Sequence, residues 1–131
     1  MNVVLCLATE KGLRVGRALL NEFPAFRFHI CTFKDVGVVD DSYNQIVGLG
    51  SESVKIVTWK QLTENKAHYI ETNAINAMLC IGWRYLISDK IINLLSGNVF
   101  VAHDSLLPRY RGFAPLVTAM LNAEEYTGVS F

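Results

Sequence analysis

The groups best suited to chemistry lie in one stretch, His103-Asp104-Ser105-Leu106-Leu107-Pro108-Arg109-Tyr110-Arg111-Gly112-Phe113-Ala114-Pro115. An imidazole titrates near neutral pH, so His103 can take or give a proton there. Arg109 and Arg111 carry permanent planar cations that could hold a phosphate or a carboxylate. Pro108 is expected to keep the next residues extended, and Pro115 suits the first turn of a helix. Residue types alone leave plainer readings open. A histidine at a strand end is more often structural than catalytic, and an Arg-Tyr-Arg loop is more often solvated surface.

These groups need a buried scaffold to carry them to one place. Val3 to Ala8 is a continuous apolar run, the pattern of a strand buried on both faces. Phe26 to Phe33, Val54 to Trp59, Ile75 to Ile81 and Asn98 to Ala102 read as further strands, and Thr127 to Phe131 begins another. Between them, a helix containing Leu13, Gly16, Leu19 and Leu20 ends before Pro24. Asp40-Asp41-Ser42 caps a short helix through Ile46, ended by Gly48 and Gly50. Ser88-Asp89 caps a helix to about Leu95, with Ile91, Ile92, Leu94 and Leu95 toward the core and Gly97 as its stop. A last helix runs from Pro115 to about Ala123.

Strands alternating with helices predict a Rossmann-like three-layer α/β domain with a mainly parallel sheet, one domain over residues 1–131. Such sheets bind ligands beyond the C-terminal ends of their strands. That singles out Thr9 to Gly12, Gly82 to Ile87 and His103 to Pro115. No GxGxxG follows the first strand, and Gly48-x-Gly50 precedes a strand, so a nicotinamide dinucleotide is not expected.

Composition narrows the function classes. The 12 basic and 12 acidic residues cancel, which leaves no broad electrostatic footprint for a nucleic acid. Half the residues (51%) are hydrophobic, the composition of a folded chain. No apolar run approaches the ~20 residues of a membrane helix. Met1 to Ala8 is apolar but short and without a basic leader, so a cytoplasmic location is expected. Cys6, Cys31 and Cys80 lie far apart in sequence without a CxxC pair. They read as small buried side chains in a reducing compartment, not as disulfide or metal ligands.

The run His-x-Ser-Leu-Leu-Pro-x-Tyr-Arg-Gly with an Ala-Pro helix start resembles the signature of the folate-dependent formyltransferase family. That family includes methionyl-tRNA, glycinamide ribonucleotide and sugar-nucleotide N-formyltransferases. Gly82-Trp83-Arg84-Tyr85-Leu86-Ile87 is similar to the family segment whose backbone holds the pterin of 10-formyltetrahydrofolate. Asn122-Ala123-Glu124 and Thr127-Gly128-Val129 look like the region leading to its sixth strand. The likeness is motif-level from about Met78 to Phe131 and architectural before that.

The resemblance implies 10-formyltetrahydrofolate as formyl donor, bound by the backbone of Tyr85, Leu86 and Ile87. It implies His103 as the proton-handling group, and Tyr110 and Arg111 as contacts to the acceptor. Tyr-Arg-Gly-Phe-Ala-Pro with Gly-Trp-Arg-Tyr-Leu-Ile looks most like the branch acting on amino-sugar nucleotides. Acidic Asp35, Asp40, Asp41 and Glu52 lie in or beside the loop from Val36 to Ser53, which holds no lysine or arginine; this argues against tRNA. The alternatives are a methionyl-tRNA or glycinamide ribonucleotide formyltransferase, or a non-catalytic folate- or nucleotide-binding relative.

Two departures from the family pattern bear on activity. An oxyanion-donating asparagine is expected two residues before the histidine, where this chain has Val101. Alternation along the strand puts Asn98 on the other face. The family's histidine-orienting aspartate is expected beyond Phe131, and Asp104 is expected to project away from His103. The resemblance therefore implies a family fold that is incomplete at its C-terminus, and a 131-residue form that is expected to be inactive.

Overall fold

The structure is a computed structural model that describes residues 1–34, 42–64 and 66–131. Among these residues the chain runs β1 (Asn2–Leu7), α1 (Thr9–Glu22), β2 (Arg27–Cys31), α2 (Ser42–Val47), β3 (Val54–Val57) and α3 (Trp59–Glu64). It continues through α4 (Lys66–Thr72), β4 (Ala77–Ile81), α5 (Asp89–Leu94), β5 (Val99–Ala102) and α6 (Pro115–Leu121). The sheet order is β3-β2-β1-β4-β5, and every strand pairing is parallel. The expected three-layer α/β architecture is what forms.

Alternation along the strands builds two cores. Val3, Leu5 and Leu7 pack with Leu13, Phe28, Ile30 and Ile46 on the face covered by α1 and α2. Val4 and Cys6 pack with Leu62, Ile70, Met78 and Ile91 on the face of α3, α4 and α5. This explains the uninterrupted apolar run of β1, the central strand: both of its faces are covered. The three cysteines, distant in sequence, stand side by side, Cys31 and Cys80 each in register with Cys6. All three thiols are free and buried. Burial pushes the Cys6 thiol well up, so it stays protonated.

Several expected boundaries move. The third strand ends at Val57 rather than Trp59. Thr58 and Gln61 form a reciprocal capping box: the Gln61 N–H donates to Thr58 Oγ1 (3.2 Å) and the Thr58 N–H to Gln61 Oε1 (2.7 Å). That box starts α3 and, with α4, fills a region to which the hydrophobic pattern assigns nothing. Ser88 is the N-cap residue of α5, but its hydroxyl makes no capping bond to the helix. Gly97 does stop α5, at φ +82°. Ser42 does begin a helix, whereas Asp40 and Asp41 lie outside the described residues.

Residues 127–131 do not form a strand of the sheet. A single antiparallel bridge joins Ser130 to His103. The chain turns after α6 through Ala123 at positive φ, so it meets the end of β5 from the opposite direction at one residue. Nor does Pro108 extend the residues after it. The Arg109 N–H donates back to the Leu106 carbonyl at 3.1 Å, and Tyr110 takes a left-handed conformation, φ +52°. Proline restrains the residue before it more than those after it.

Candidate functional site

The ends of β1, β4 and β5 open into one cavity of about 810 Å³, a size that accepts a small-molecule ligand. Thr9 and Lys11 line it from the start of α1, Gly82 to Ile87 from the segment after β4, and His103, Asp104 and Gly112 to Pro115 from the segment after β5. The three segments expected to matter thus share one crevice, with His103 and Leu86 in the same walls.

Its floor depends on a close approach of backbones. The Ala8 N–H donates to the Ile81 carbonyl at 3.0 Å, tying the end of β1 to that of β4. Gly82, at φ +65°, sits so near this junction that a Cβ there would lie 2.5 Å from the Ala8 carbonyl oxygen and 2.8 Å from Thr9 Oγ1. Only glycine fits both the backbone angle and the space.

Beyond Gly82 an aromatic cluster anchors the next residues. Trp83 packs edge-on against Phe33 and Trp59, with centroids 5.2 Å and 5.1 Å apart. Tyr85 stacks on Trp59 at 6.0 Å. These contacts turn the aromatic side chains toward β2 and β3 and hold the backbone against the cavity. Among the described residues, the peptide groups of Tyr85, Leu86 and Ile87 take part in no hydrogen bond. The Leu86 side chain is 95% exposed. An apolar wall bearing unpaired peptide donors and acceptors suits a flat heterocycle with a hydrogen-bonding edge.

His103 is fixed at its backbone by the bridge to Ser130. Its ring is fixed by Nε2, which donates to the Tyr110 carbonyl at 3.1 Å. A carbonyl only accepts, so Nε2 carries the proton and Nδ1 holds the lone pair of the neutral ring. Val101 lies on the same wall, 41% exposed, and offers no polar atom. Asn98 precedes β5 and does not line the cavity.

Asp104 makes no hydrogen bond to the His103 ring among the described residues. It lines the cavity and forms an ion pair with Lys11 across the crevice between β1 and β5. Tyr110 and Arg111, expected to contact an acceptor, do not line the cavity. The Tyr110 hydroxyl and the Arg109 guanidinium both donate to Glu124 Oε1. The Glu124 carboxylate raises the Tyr110 phenol above its usual value, so the hydroxyl stays protonated. Arg111 is exposed and makes no hydrogen bond or ion pair among the described residues. Lys11, Glu124 and Ser130 fall within stretches that the sequence marks, Thr9 to Gly12, Asn122 to Glu124 and Thr127 to Phe131, but nothing there assigns a role to these three side chains. Among the described residues no group of His, Cys, Asp or Glu is arranged to hold a metal, and no helix is long and apolar enough to cross a membrane.

Solved structures share this fold. Phosphoribosylglycinamide formyltransferase from Bacillus halodurans superposes with a TM-score of 0.73 at 14% identity, over 98% of this chain and 69% of that one. Glycinamide ribonucleotide transformylase 1 from Geobacillus kaustophilus gives 0.69 at 17% identity, over 98% of this chain and 71% of that one. A formyltetrahydrofolate deformylase from Pseudomonas syringae gives 0.66 at 12% identity, over 92% of this chain and 41% of that one. The chain thus spans about two thirds of the length of the first two and less than half of the third. Residues 29–131, which contain β4, β5 and the whole histidine segment, match the formyl transferase family. With that match over most of its length, the chain belongs to the formyl transferase family.

Proposed function

We propose that this chain provides the donor-binding and proton-transfer part of an N-formyltransferase that moves a formyl group from 10-formyltetrahydrofolate to the amine of an amino-sugar nucleotide. The observation that carries this reading is the pairing, in one cavity, of His103 with the unpaired peptide groups of residues 85–87. The pterin edge of the donor would exchange hydrogen bonds with those peptide groups, and Leu86 would cover its face. His103, with Nδ1 unprotonated, would take the proton released as the acceptor amine becomes an amide, and return it to the departing folate nitrogen. Arg111, next to Gly112 of the cavity wall and without an ion pair among the described residues, would meet the charged part of the acceptor.

The acceptor assignment rests on the Tyr-Arg-Gly-Phe-Ala-Pro segment and on the balanced overall charge. Glycinamide ribonucleotide is the second reading, since two of the similar structures are of enzymes named for that substrate. The test is direct. The protein is titrated calorimetrically with a 10-formyltetrahydrofolate analogue, then with dTDP-, UDP- and GDP-amino sugars and with glycinamide ribonucleotide. Formylated product is followed by mass spectrometry. Donor binding, with transfer to an amino-sugar nucleotide once the histidine-orienting aspartate is present in the protein assayed, is the expected outcome. Transfer only to glycinamide ribonucleotide would select the second reading, and absence of donor binding would refute both.

Val101 predicts slow turnover. Losing one oxyanion donor costs about 10²–10³ in rate. Val101→Asn is expected to raise turnover with little change in donor affinity, and an unchanged rate would show that another group makes that contact.

A further inference from the structure

The segment after α6 holds the histidine loop at two points. At the first, the His103 N–H donates to the Ser130 carbonyl at 2.8 Å, and the Ser130 N–H donates back to the His103 carbonyl at 2.9 Å. The Ser130 hydroxyl accepts from the Leu107 N–H at 3.1 Å and donates to the Ser105 carbonyl at 2.8 Å. This point fixes where the loop begins.

The second point is Glu124, whose side chain is 21% exposed. One of its carboxylate oxygens accepts from both Arg109 and Tyr110. The Arg109 guanidinium lies 5.4 Å from the Tyr110 ring centroid, and the Ser105 hydroxyl donates to the Arg109 carbonyl at 2.7 Å. Tyr110 itself is left-handed, a conformation that a side chain with a Cβ disfavours and that surrounding contacts must maintain. In that conformation its carbonyl meets His103 Nε2.

We propose that Glu124 is a positioning residue for His103. By gripping Arg109 and Tyr110 together it holds the left-handed turn that aims the Tyr110 carbonyl at Nε2, and so keeps His103 as the Nε2–H tautomer with the Nδ1 lone pair available. Glu124 does not line the cavity; it acts through Tyr110. Charge-assisted bonds to a largely buried carboxylate are strong enough to hold such a turn. The same grip explains why the Tyr110 side chain is turned away from the cavity. The catalytic meaning of this arrangement rests on the proposed role of His103; the arrangement itself does not.

The test therefore reads the imidazole and the reaction separately. ¹⁵N chemical shifts of the His103 ring nitrogens are recorded in the unaltered protein, in Glu124→Gln, in Tyr110→Phe, and in Glu64→Gln as a remote surface control. The unaltered protein is expected to show the Nε2–H tautomer. Glu124→Gln is expected to move both nitrogens toward tautomer averaging, Tyr110→Phe to do so partly, and Glu64→Gln not at all. In parallel, Glu124→Gln is expected to lower kcat about ten-fold or more and leave the donor KM within about two-fold, the signature of an interaction felt at the reacting group. Melting temperatures identify a variant that fails to fold, and Tyr110→Phe, which removes one bond and no volume, then carries the comparison. An Nδ1–H tautomer in the unaltered protein, or ring shifts that neither variant changes, would overturn the proposal. The expected ring shifts with no formyl transfer in any form would leave the positioning intact and refute the proposed function instead.

Discussion

Gly82→Ala isolates the backbone contact on which the crevice is built. Two penalties apply. The left-handed angle of +65° costs a residue with a Cβ about 1–2 kcal/mol, offset by about 0.4–1 kcal/mol from the stiffer unfolded chain. The new methyl would also lie 2.5 Å from the Ala8 carbonyl oxygen, against backbone that cannot swing aside. Forced overpacking of this kind costs about 1–3 kcal/mol. Together these give a loss of about 1–4.5 kcal/mol.

Gly97→Ala supplies the matched control. Its φ is +82°, yet a Cβ there meets nothing within 4 Å, so only the net conformational penalty remains, about 0–1.5 kcal/mol. Urea unfolding of both variants, with m-values checked for constancy, gives the difference. Gly82→Ala is expected to be the more destabilising by about 1–3 kcal/mol. Equal losses within about 0.5 kcal/mol would show instead that the close approach of Ala8 and Gly82 does not constrain the fold.

Burial holds the His29 imidazole below its ordinary value, next to the Tyr69 hydroxyl at 2.8 Å from Nδ1. The unfolded chain then binds the proton more readily than the native one, so stability is expected to fall as pH drops below about 6.5. His29→Gln should flatten that decline in urea midpoints measured from pH 8 to 5, and an unchanged slope would assign the acid sensitivity to other groups. Leu13 is fully buried between α1 and the sheet, and Leu13→Ala is expected to cost about 2–5 kcal/mol in the same assay. Arg111→Ala is expected to weaken a phosphate-bearing acceptor about ten-fold or more, one charge-assisted bond, with donor affinity unchanged in calorimetry. Equal losses for both ligands would mean that the loop has collapsed.

Hydrophobic patterning was enough to set the layering and the place of the crevice. Continuous apolar runs such as Val3 to Leu7 belong to strands covered on both faces, and their alternation with helices leaves a parallel sheet as the economical solution. The ligand site then has to lie beyond the strands' C-terminal ends, which is where Leu86 and His103 meet. The T-x-x-Q pattern at Thr58 was present to mark the start of α3, although a periodicity reading extends the strand across it. Which side chains are spoken for became visible only in the folded chain. Tyr110 and Arg109 are drawn to Glu124, and Lys11 to Asp104, partners separated by 14, 15 and 93 residues. Patterning governs which face of an element is buried, but it carries no information on which polar ends then meet. Those pairings depend on angstrom-scale placement of loops, set by the packed sheet and by the few residues, Tyr110 and Gly82 among them, whose backbone is held in a left-handed turn.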